Sequence, residues 1–296
     1  MADPAAATVH RLLVVRRGGL GDTLLMLPVL RALRRAHPAA ALHFAGVREF
    51  AAVLADHGAC DRVRSSEDLA LWSAARARQR LADYDLVVAD EPSVRDAARA
   101  ARVFDPQPAG DAPLGQQLAR QLGLALQWPA DAWLCARRTA PADGAIVLAP
   151  GSGGAAKCWP RPRWLALAAA LPQPPHVLVG PTEIERDDPR CWPWPVAPTF
   201  VVEPEPVVVA RRLAVTARAF VGNDSGPTHL AAMLGVPTVA LFGPSDARVF
   251  APQGPCCRVL VAAGASGDLS AASVAGTLRG LLAGTCAAPA EPGARS

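Results

Sequence analysis

The sequence has almost no lysine: of its 30 basic residues, only Lys157 is a lysine. It also has no uninterrupted apolar run of about 18 residues, so we expect no membrane-spanning helix. No run of Lys or Arg exceeds two residues and the net charge is +4, which argues against a nucleic-acid-binding protein. Residues 1–9 lack the apolar stretch of a signal peptide. These absences indicate a cytoplasmic protein that has no nucleic-acid partner.

Patterns typical of metal sites are missing as well. The seven cysteines include no C-x-x-C pair, and no histidine cluster completes a zinc pattern. Asp83 and Asp85 spell D-x-D, a signature of many metal-dependent sugar transferases. Their position at the entry to an apolar run favours a solvated strand entry. The sequence therefore predicts no metal site.

What is present is a globular composition, with 296 residues of which 51% are hydrophobic. This length favours two domains. Short apolar runs alternate with segments of helical period, which indicates βαβ units and mainly parallel sheets, an α/β fold. Predicted strands cover residues 11–16, 41–45, 84–89, 145–149, 176–179, 219–222 and 238–242. Predicted helices cover residues 22–36, 67–81, 93–102, 114–123, 162–171, 206–217, 227–234 and 270–283.

The aperiodic stretch 127–144, which mixes proline, alanine and charge, is interpreted as the inter-domain linker. We expect an N-terminal domain over residues 1–140 and a C-terminal domain over 141–270. A final helix is expected over 271–284. Residues 285–296 are expected to form a frayed tail.

The first chemical motif is Arg16-Arg17-Gly18-Gly19-Leu20-Gly21-Asp22-Thr23, between a strand and a helix. Gly19 and Gly21 allow a tight turn and close backbone approach. The spacing is not G-x-G-x-x-G, which argues against a dinucleotide fingerprint. Asp22 fits either a helix cap or a general base that faces a substrate.

The second motif, residues 148–160, again joins a strand to a helix. Its Gly/Ser loop, which includes Ser152, can present N–H donors to an anion. Lys157 follows within reach of a phosphate, although the loop is not a Walker sequence. A surface loop with a solvated lysine is the alternative.

The third motif, residues 221–230, ends a strand and starts a helix. It brings Asp224, Ser225, Gly226, Thr228 and His229 to the strand edge where open α/β sheets bind ligands. A Ser-His-Asp hydrolase is a poor fit, because the G-x-S-x-G elbow is missing. A capped helix with a buried histidine is the alternative for His229.

A fourth stretch, residues 179–186, contains two glutamates after a strand. Glu183 or Glu185 is a candidate for binding ribose hydroxyls. A capping-box glutamate is the alternative.

Together these stretches resemble glycosyltransferase family 9, the heptosyltransferases of lipopolysaccharide core assembly. The resemblance extends over residues 11–250, with the pieces in the order of the family. It implies a GT-B architecture of two Rossmann-like domains that face each other across a cleft, with a last helix that returns to the N-terminal domain. It also implies an inverting, metal-independent transfer, typically from ADP-heptose, with no cofactor besides this co-substrate.

The resemblance also implies roles for residues that match the family's motifs. Asp22 matches the catalytic base, in an acceptor-side loop that includes Gly19 and Gly21. Lys157, Ser152, Ser225, Gly226 and Thr228 match residues that bind the donor diphosphate. Asp224, Glu183 and His229 match residues on the donor sugar or ribose, with Glu185 a close rival of Glu183.

Several partners and alternatives remain open at this point. The acceptor implied is a glycolipid or a small molecule, and a natural-product acceptor or a non-catalytic nucleotide-sugar-binding protein are the alternatives. We expect a monomer. Arginines near the start form either a basic face for a phosphorylated lipid, with peripheral contact to the inner membrane, or a solvated helix face; they are Arg16, Arg17, Arg31, Arg34 and Arg35.

Overall fold

The computed structural model describes residues 9–135, 141–262 and 269–284. The chain divides into two compact units, Met1–Asp131 and Ala132–Ser296. Residues 285–296, the predicted tail, lie outside the described residues, as does the predicted domain boundary at residue 140. The predicted domain ranges remain predictions.

The first unit is built on a five-stranded parallel sheet in the order β3-β2-β1-β4-β5. Its strands are β1 (Arg11–Val15), β2 (Ala41–Gly46), β3 (Arg62–Ser65), β4 (Leu86–Ala89) and β5 (Ala101–Val103). Its helices are α1 (Leu20–Leu24), α2 (Leu27–Ala36), α3 (Arg48–Asp56), α4 (Ala74–Leu81) and α5 (Leu114–Gln121). Short 3-10 turns lie at Glu67–Leu69, Pro92–Asp96 and Ala130–Ala132.

The centre of this sheet follows from its apolar runs. Strand β4 is buried along its whole length and β1 is buried from its second residue onward. On one face, Leu13, Val15 and Val87 pack with Leu81 of α4 and Leu69. The predicted strands 11–16, 41–45 and 84–89 are thus confirmed as the central three.

Three predictions for the first unit are wrong. Residues 67–81 do not form one helix but a 3-10 turn at Glu67–Leu69 followed by α4, because Ala70 between them adopts a left-handed φ of +50° that ends the turn. Residues 22–36 form two helices, because Pro28 lacks the N–H that would continue the ladder of α1; it lies instead in the first turn of α2. Residues 93–102 form a 3-10 turn and the edge strand β5, not a helix.

The second unit has a six-stranded parallel sheet in the order β11-β10-β9-β6-β7-β8. Its strands are β6 (Ala145–Ala149), β7 (His176–Val179), β8 (Thr199–Val202), β9 (Ala217–Asn223), β10 (Thr238–Phe242) and β11 (Cys257–Val261). Its helices are α6 (Arg161–Ala169), α7 (Pro181–Arg186), α8 (Pro206–Thr216), α9 (Gly226–Met233), α10 (Ala247–Phe250) and α11 (Ala271–Ala283), with 3-10 turns at Ala155–Lys157 and Pro189–Cys191. Read from β8, this is the strand order of the doubly wound dinucleotide-binding fold, and it reverses between β6 and β9.

One core of the second unit is centred on two tryptophans. The rings of Trp159 and Trp164 meet edge to face with centroids 5.0 Å apart, an arrangement that aromatic pairs prefer. Helix α11 packs on α6 and on strands β9, β10 and β11 through Val274 and Leu278. The predicted final helix is confirmed as a helix, and its predicted return to the first unit stays a prediction.

The elements that the sequence did not predict are mostly short or lie at sheet edges. Strands β3, β8 and β11 each carry several half-exposed or exposed residues, so they lack the buried apolar run that marks a central strand. Helix α3 was also missed. No helix within the described ranges is both long and apolar enough to cross a membrane.

Candidate active site

The polar residues of the second unit gather where its strand order reverses. Strands β6 and β9 are neighbours in the sheet, and the loops that follow them carry the second and third motifs. Ligands of open α/β sheets bind at this point, outside the carboxyl ends of the strands. The sheet topology therefore brings two motifs together that are about 70 residues apart in the sequence.

Asn223, which is fully buried, ties the two loops to each other. Its Nδ2 donates to the carbonyl oxygen of Pro150 at 2.6 Å, and its Oδ1 accepts from the Trp159 N–H at 3.0 Å. One amide side chain thus satisfies a backbone acceptor before the Gly/Ser loop and a backbone donor after it. Asn223 had no predicted role, although it lies inside the third motif.

Lys157 lies against Asp224. Its Nζ donates to Asp224 Oδ2 at 2.7 Å, with side-chain exposures of 39% for the lysine and 7% for the aspartate. Ser152 Oγ donates to the carbonyl oxygen of Asp224 at 2.7 Å. The lysine ammonium is therefore held at the junction of both loops while part of it still faces solvent.

The start of α9 is ordered by hydroxyl contacts. Thr228 Oγ1 donates to the carbonyl oxygen of Asn223 at 2.6 Å and lies 3.1 Å from Ser225 Oγ. Gly222 fits beneath it, since a Cβ there would overlap Thr228 Oγ1. Ser225 is the N-cap of α9 and Gly226 its first residue. His229 is 3% exposed in the same helix, as expected for either of its two interpretations.

The candidate glutamates behave differently. Glu183 Oε2 accepts from the Gly180 N–H at 2.6 Å, so Glu183 caps α7, and its carboxylate lies over Gly151. Glu185 is exposed on the same helix. Arg186 donates to the carbonyl oxygens of Ser152 and Gly153 at 2.9 and 2.6 Å. Helix α7 therefore holds the Gly/Ser loop through Glu183 and Arg186.

A pocket of about 210 Å³ adjoins this group. The residues that line it include Gly151, Ser152 and Glu183 and the tryptophans Trp159 and Trp192. The pocket is concave and partly aromatic, which suits a small organic ligand.

In the first unit, Asp22 is bound on both carboxylate oxygens. Oδ1 accepts from Arg16 Nη2 at 2.7 Å, and Oδ2 accepts from the Gly19 N–H at 2.9 Å. The cap that the sequence suggested is thus present, yet 41% of the side chain remains exposed. Gly18 has φ +139°, and a Cβ there would come within 2.6 Å of Asp22 Oδ2. Gly21 lies within α1, where its carbonyl oxygen accepts from the Leu25 N–H.

The five arginines considered as a basic face are each hydrogen-bonded inside the first unit. Four of them bind a carboxylate: Arg16 binds Asp22 and Asp90, Arg17 binds Glu91, Arg34 binds Asp61 and Arg35 binds Asp131. Arg31 donates to the carbonyl oxygen of Ala130. Their charge is therefore largely neutralised locally, which favours the interpretation that does not involve a phosphorylated lipid.

The predicted site residues thus form two groups. The second unit brings together Ser152, Lys157, Glu183, Asp224, Ser225, Gly226 and Thr228, with His229 buried behind them. The first unit holds Gly19, Gly21 and Asp22. Asp90 and Arg186 were not predicted from the sequence, although the position of Asp90 directly after a central strand is a signal that could have identified it. Asp85 accepts from the backbone N–H groups of His10 and Arg11, which fits the predicted strand entry.

No group of three or more His, Cys, Asp or Glu side chains in the described part of the chain could hold a metal ion.

The fold of the chain is similar to that of solved GT-B glycosyltransferases. It is similar to a glycosyl transferase family 9 structure from Veillonella parvula DSM 2008, with a TM-score of 0.72, 19% identity and coverage of 93% of this chain and 97% of that one. It is similar to the E. coli heptosyltransferase WaaC with ADP, with a TM-score of 0.70, 23% identity and coverage of 92% and 99%. For E. coli ADP-heptose lps heptosyltransferase II the TM-score is 0.68, with 18% identity and coverage of 92% and 98%.

In sequence, the model of glycosyltransferase family 9 (heptosyltransferase) matches residues 208–273, which contain the third motif. No curated protein matches the chain in sequence. The predicted α/β fold and the predicted resemblance to family 9 are confirmed. Together the family model and the fold support a glycosyltransferase.

Proposed function

We propose that the protein is an inverting, metal-independent glycosyltransferase that moves heptose from ADP-heptose onto a hydroxyl group of a lipopolysaccharide-core acceptor. Two similar structures are those of the E. coli heptosyltransferase WaaC with ADP and with ADP-2-deoxy-2-fluoro heptose. The observation that carries the proposal is the position of Lys157. The only lysine of the chain lies, half-exposed, between the two loops at the strand-order reversal of the second sheet.

The donor diphosphate would bind at this junction. Lys157 supplies a compact positive charge, and Ser225 with the start of α9 supplies hydroxyl and backbone donors. As the bond to the sugar breaks, negative charge grows on the departing ADP. A fixed ammonium group stabilises that negative charge, so Lys157 would take the role that a divalent cation has in metal-dependent sugar transferases.

The acceptor would be activated by Asp22. Its carboxylate takes the proton of the acceptor hydroxyl while the acceptor oxygen forms a bond to the anomeric carbon. The bond from that carbon to the phosphate oxygen breaks, and its electron pair leaves with ADP. Attack from the side opposite the leaving group inverts the anomeric centre. Asp22 suits this role because 41% of its side chain is exposed while both oxygens are oriented by the protein.

The donor assignment is tested by calorimetric titration with ADP, UDP, GDP and NAD in the presence of EDTA. We expect ADP to bind most tightly. Lys157→Met should weaken ADP about 10- to 100-fold, since it removes a charge-assisted contact of about 1.5–3 kcal/mol. Lys157→Arg should retain part of the affinity. Preference for UDP or GDP would exclude ADP-heptose as the donor, and binding of NAD alone would contradict a glycosyl donor site.

The acceptor assignment is tested by transfer from ADP-heptose to a lipopolysaccharide-core acceptor and to a small aglycone. Asp22→Asn is close to isosteric, and it should leave ADP affinity within about twofold while lowering transfer by at least about 100-fold, the scale of general-base catalysis. Full transfer by this variant would remove Asp22 from the mechanism. Transfer to the aglycone alone would replace the proposed acceptor with a small natural product.

A further inference from the structure

Strands β1 and β4 are neighbours in the first sheet, and a charged pair follows each of them. Arg16 and Arg17 come directly after β1, and Asp90 and Glu91 come directly after β4. Arg16 Nη1 donates to Asp90 Oδ2 at 2.7 Å, while its Nη2 donates to Asp22 Oδ1 at 2.7 Å. One guanidinium therefore bridges two carboxylates at the strand-order reversal of this sheet.

Burial distinguishes the members of this group. The side chains of Arg16 and Asp90 are 12% and 8% exposed, whereas that of Asp22 is 41% exposed. Asp90 Oδ1 is buried and has no hydrogen-bond partner among the described residues. A buried guanidinium is tolerated only when its donors are matched. Asp90 accepts a hydrogen bond from Nη1 of Arg16 and thereby directs Nη2 of the same guanidinium toward Asp22.

The loop is also shaped around the carboxylate of Asp22. Gly18 adopts φ +139°, a conformation that favours glycine, and a side chain there would collide with Asp22. The Gly19 N–H binds the second carboxylate oxygen. An ion pair between Arg16 and Asp90 would form without the glycine at residue 18 and without the Gly19 N–H bond. These two features therefore position Asp22, which goes beyond holding the sheet together.

We propose that Asp90, acting through Arg16, is a positioning residue for Asp22. This inference rests on the proposed function, in which Asp22 takes the proton of the acceptor. The Asp90–Arg16 pair fixes the plane of the Asp22 carboxylate from one side. The lone pairs on the exposed side of the carboxylate are then directed toward the acceptor hydroxyl.

The test compares Asp90→Asn with Glu91→Gln. Glu91 is a matched control, because it follows the same strand as Asp90 and also pairs with an arginine, Arg17, at 2.5 Å. The side chain of Arg17 is 58% exposed, in contrast to the 12% of Arg16. We expect Asp90→Asn to lower kcat about 10- to 100-fold, by analogy with residues that orient metal-binding side chains, whose mutation has effects of this size. KM for the donor and ADP affinity should stay within about twofold. Glu91→Gln should leave kcat, KM and ADP affinity unchanged.

A graded series at Arg16 separates positioning from folding. Arg16→Lys keeps the charge and should keep part of kcat, whereas Arg16→Met should lose more than Asp90→Asn. Rates are measured well below the temperature at which each variant begins to unfold, as determined by thermal unfolding, so that unfolding does not enter. An unchanged kcat in Asp90→Asn overturns the inference, as does a loss that is equal in Glu91→Gln.

A spectroscopic measurement keeps the inference testable without activity. The ¹³Cγ resonance of Asp22, assigned from its absence in Asp22→Asn, should shift in Asp90→Asn and stay in place in Glu91→Gln. A fixed resonance in Asp90→Asn contradicts the coupling. If the unmodified protein transfers no sugar to any acceptor, the proposed function fails, while the resonance still decides whether Asp90 positions Asp22.

Discussion

The carboxylate of Glu183 lies directly over Gly151, so closely that a Cβ at residue 151 would overlap its Oε1. The same carboxylate is held by the Gly180 N–H at 2.6 Å. The absence of a side chain at Gly151 therefore sets where a candidate donor-binding group can lie. This contact joins the loop after β6 to the helix after β7, and β6 and β7 are neighbouring strands of the sheet.

Gly151→Ala should weaken ADP binding and cost a modest amount of stability. The added methyl group overlaps Cγ, Cδ and Oε1 of Glu183, so this side chain must rotate away, which breaks its cap on the Gly180 N–H and loses its contact with the donor. We expect ADP affinity to fall about 3- to 30-fold, the equivalent of roughly one hydrogen bond to a charged group, and the melting temperature to fall by about 2–4 °C, since a lost cap costs about 1 kcal/mol. Calorimetry and thermal unfolding measure both quantities.

Gly153→Ala is the control for this substitution, because no described atom lies within 4 Å of a Cβ built there. It should leave ADP affinity unchanged. Equal affinities for the Gly151→Ala variant and the unmodified protein would mean that Glu183 does not contact the donor, and Glu185 would then become the candidate to test.

Asp224→Asn should change donor binding and transfer in opposite directions. Lys157 pairs with Asp224 at 2.7 Å, and a diphosphate must compete with that carboxylate for the ammonium. Removing the negative charge should tighten ADP about threefold to tenfold, or ~0.7–1.4 kcal/mol, as measured by calorimetry. Transfer should fall, since Asp224 is proposed to contact the sugar.

The control is Asp246→Asn, which neutralises a carboxylate of the same unit that pairs with Arg248 at 2.8 Å. ADP affinity should not respond to it. Weaker ADP binding by Asp224→Asn would show instead that the carboxylate holds Lys157 in the position that the ligand requires.

Asn223→Leu should destabilise the second unit strongly. Asn223 is fully buried and bridges a donor and an acceptor of two loops, so its removal leaves the Pro150 carbonyl oxygen and the Trp159 N–H without their partner. The cost is about 2–4 kcal/mol, since each buried group left unsatisfied costs about 1–3 kcal/mol. We expect thermal unfolding to move down by roughly 5–15 °C.

Gln173→Leu provides the comparison for Asn223, because its Nε2 donates at 2.9 Å to one backbone acceptor, the Gly144 carbonyl oxygen, in a half-buried position. It should shift unfolding by less than half as much. A shift of equal size in both variants would mean that Asn223 contributes one ordinary hydrogen bond and does not join the two loops.

The central strands could be predicted from the sequence because their apolar runs record burial on both faces. Strands β1, β4 and β6 show this directly, whereas β3 and β5 at the edges do not. The motifs could be placed at strand ends for the same reason. The contacts between the motifs could not be predicted, because β6 and β9 become neighbours through the strand order of the sheet, which no local sequence pattern encodes.

The roles of single side chains were harder to predict. Lys157 stood out because lysine is otherwise absent, yet its pairing with Asp224 depends on two loops that meet only because β6 and β9 are neighbours. The choice between a basic face and a solvated helix face for the early arginines stayed open, because a sequence shows charge but not the distant carboxylates that neutralise it. Arg35 and Asp131, for example, are 96 residues apart and bind through two hydrogen bonds.

One of these ion pairs predicts how stability depends on pH. Asp61 accepts from Arg34 at 2.7 Å and from the Leu42 N–H at 2.7 Å. Burial raises the pKa of Asp61, but the hydrogen bonds from Arg34 and Leu42 outweigh it and hold the pKa below its ordinary 3.8. The folded protein therefore binds this proton less readily than the unfolded chain does.

Because the folded pKa is the lower one, the stabilisation from Asp61 is fully present above the unfolded pKa of about 4 and is lost as pH falls through the folded pKa. Asp61→Asn should thus lower the free energy of unfolding most at pH 6–7, with a difference that shrinks below about pH 4. Urea unfolding at pH 7, 5, 4 and 3 measures it. Asp83→Asn, whose side chain is 81% exposed, is the control and should show a small, flat difference. A difference for Asp61→Asn that stays constant from pH 7 to pH 3 would assign its contribution to packing and uncharged hydrogen bonding rather than to the carboxylate charge.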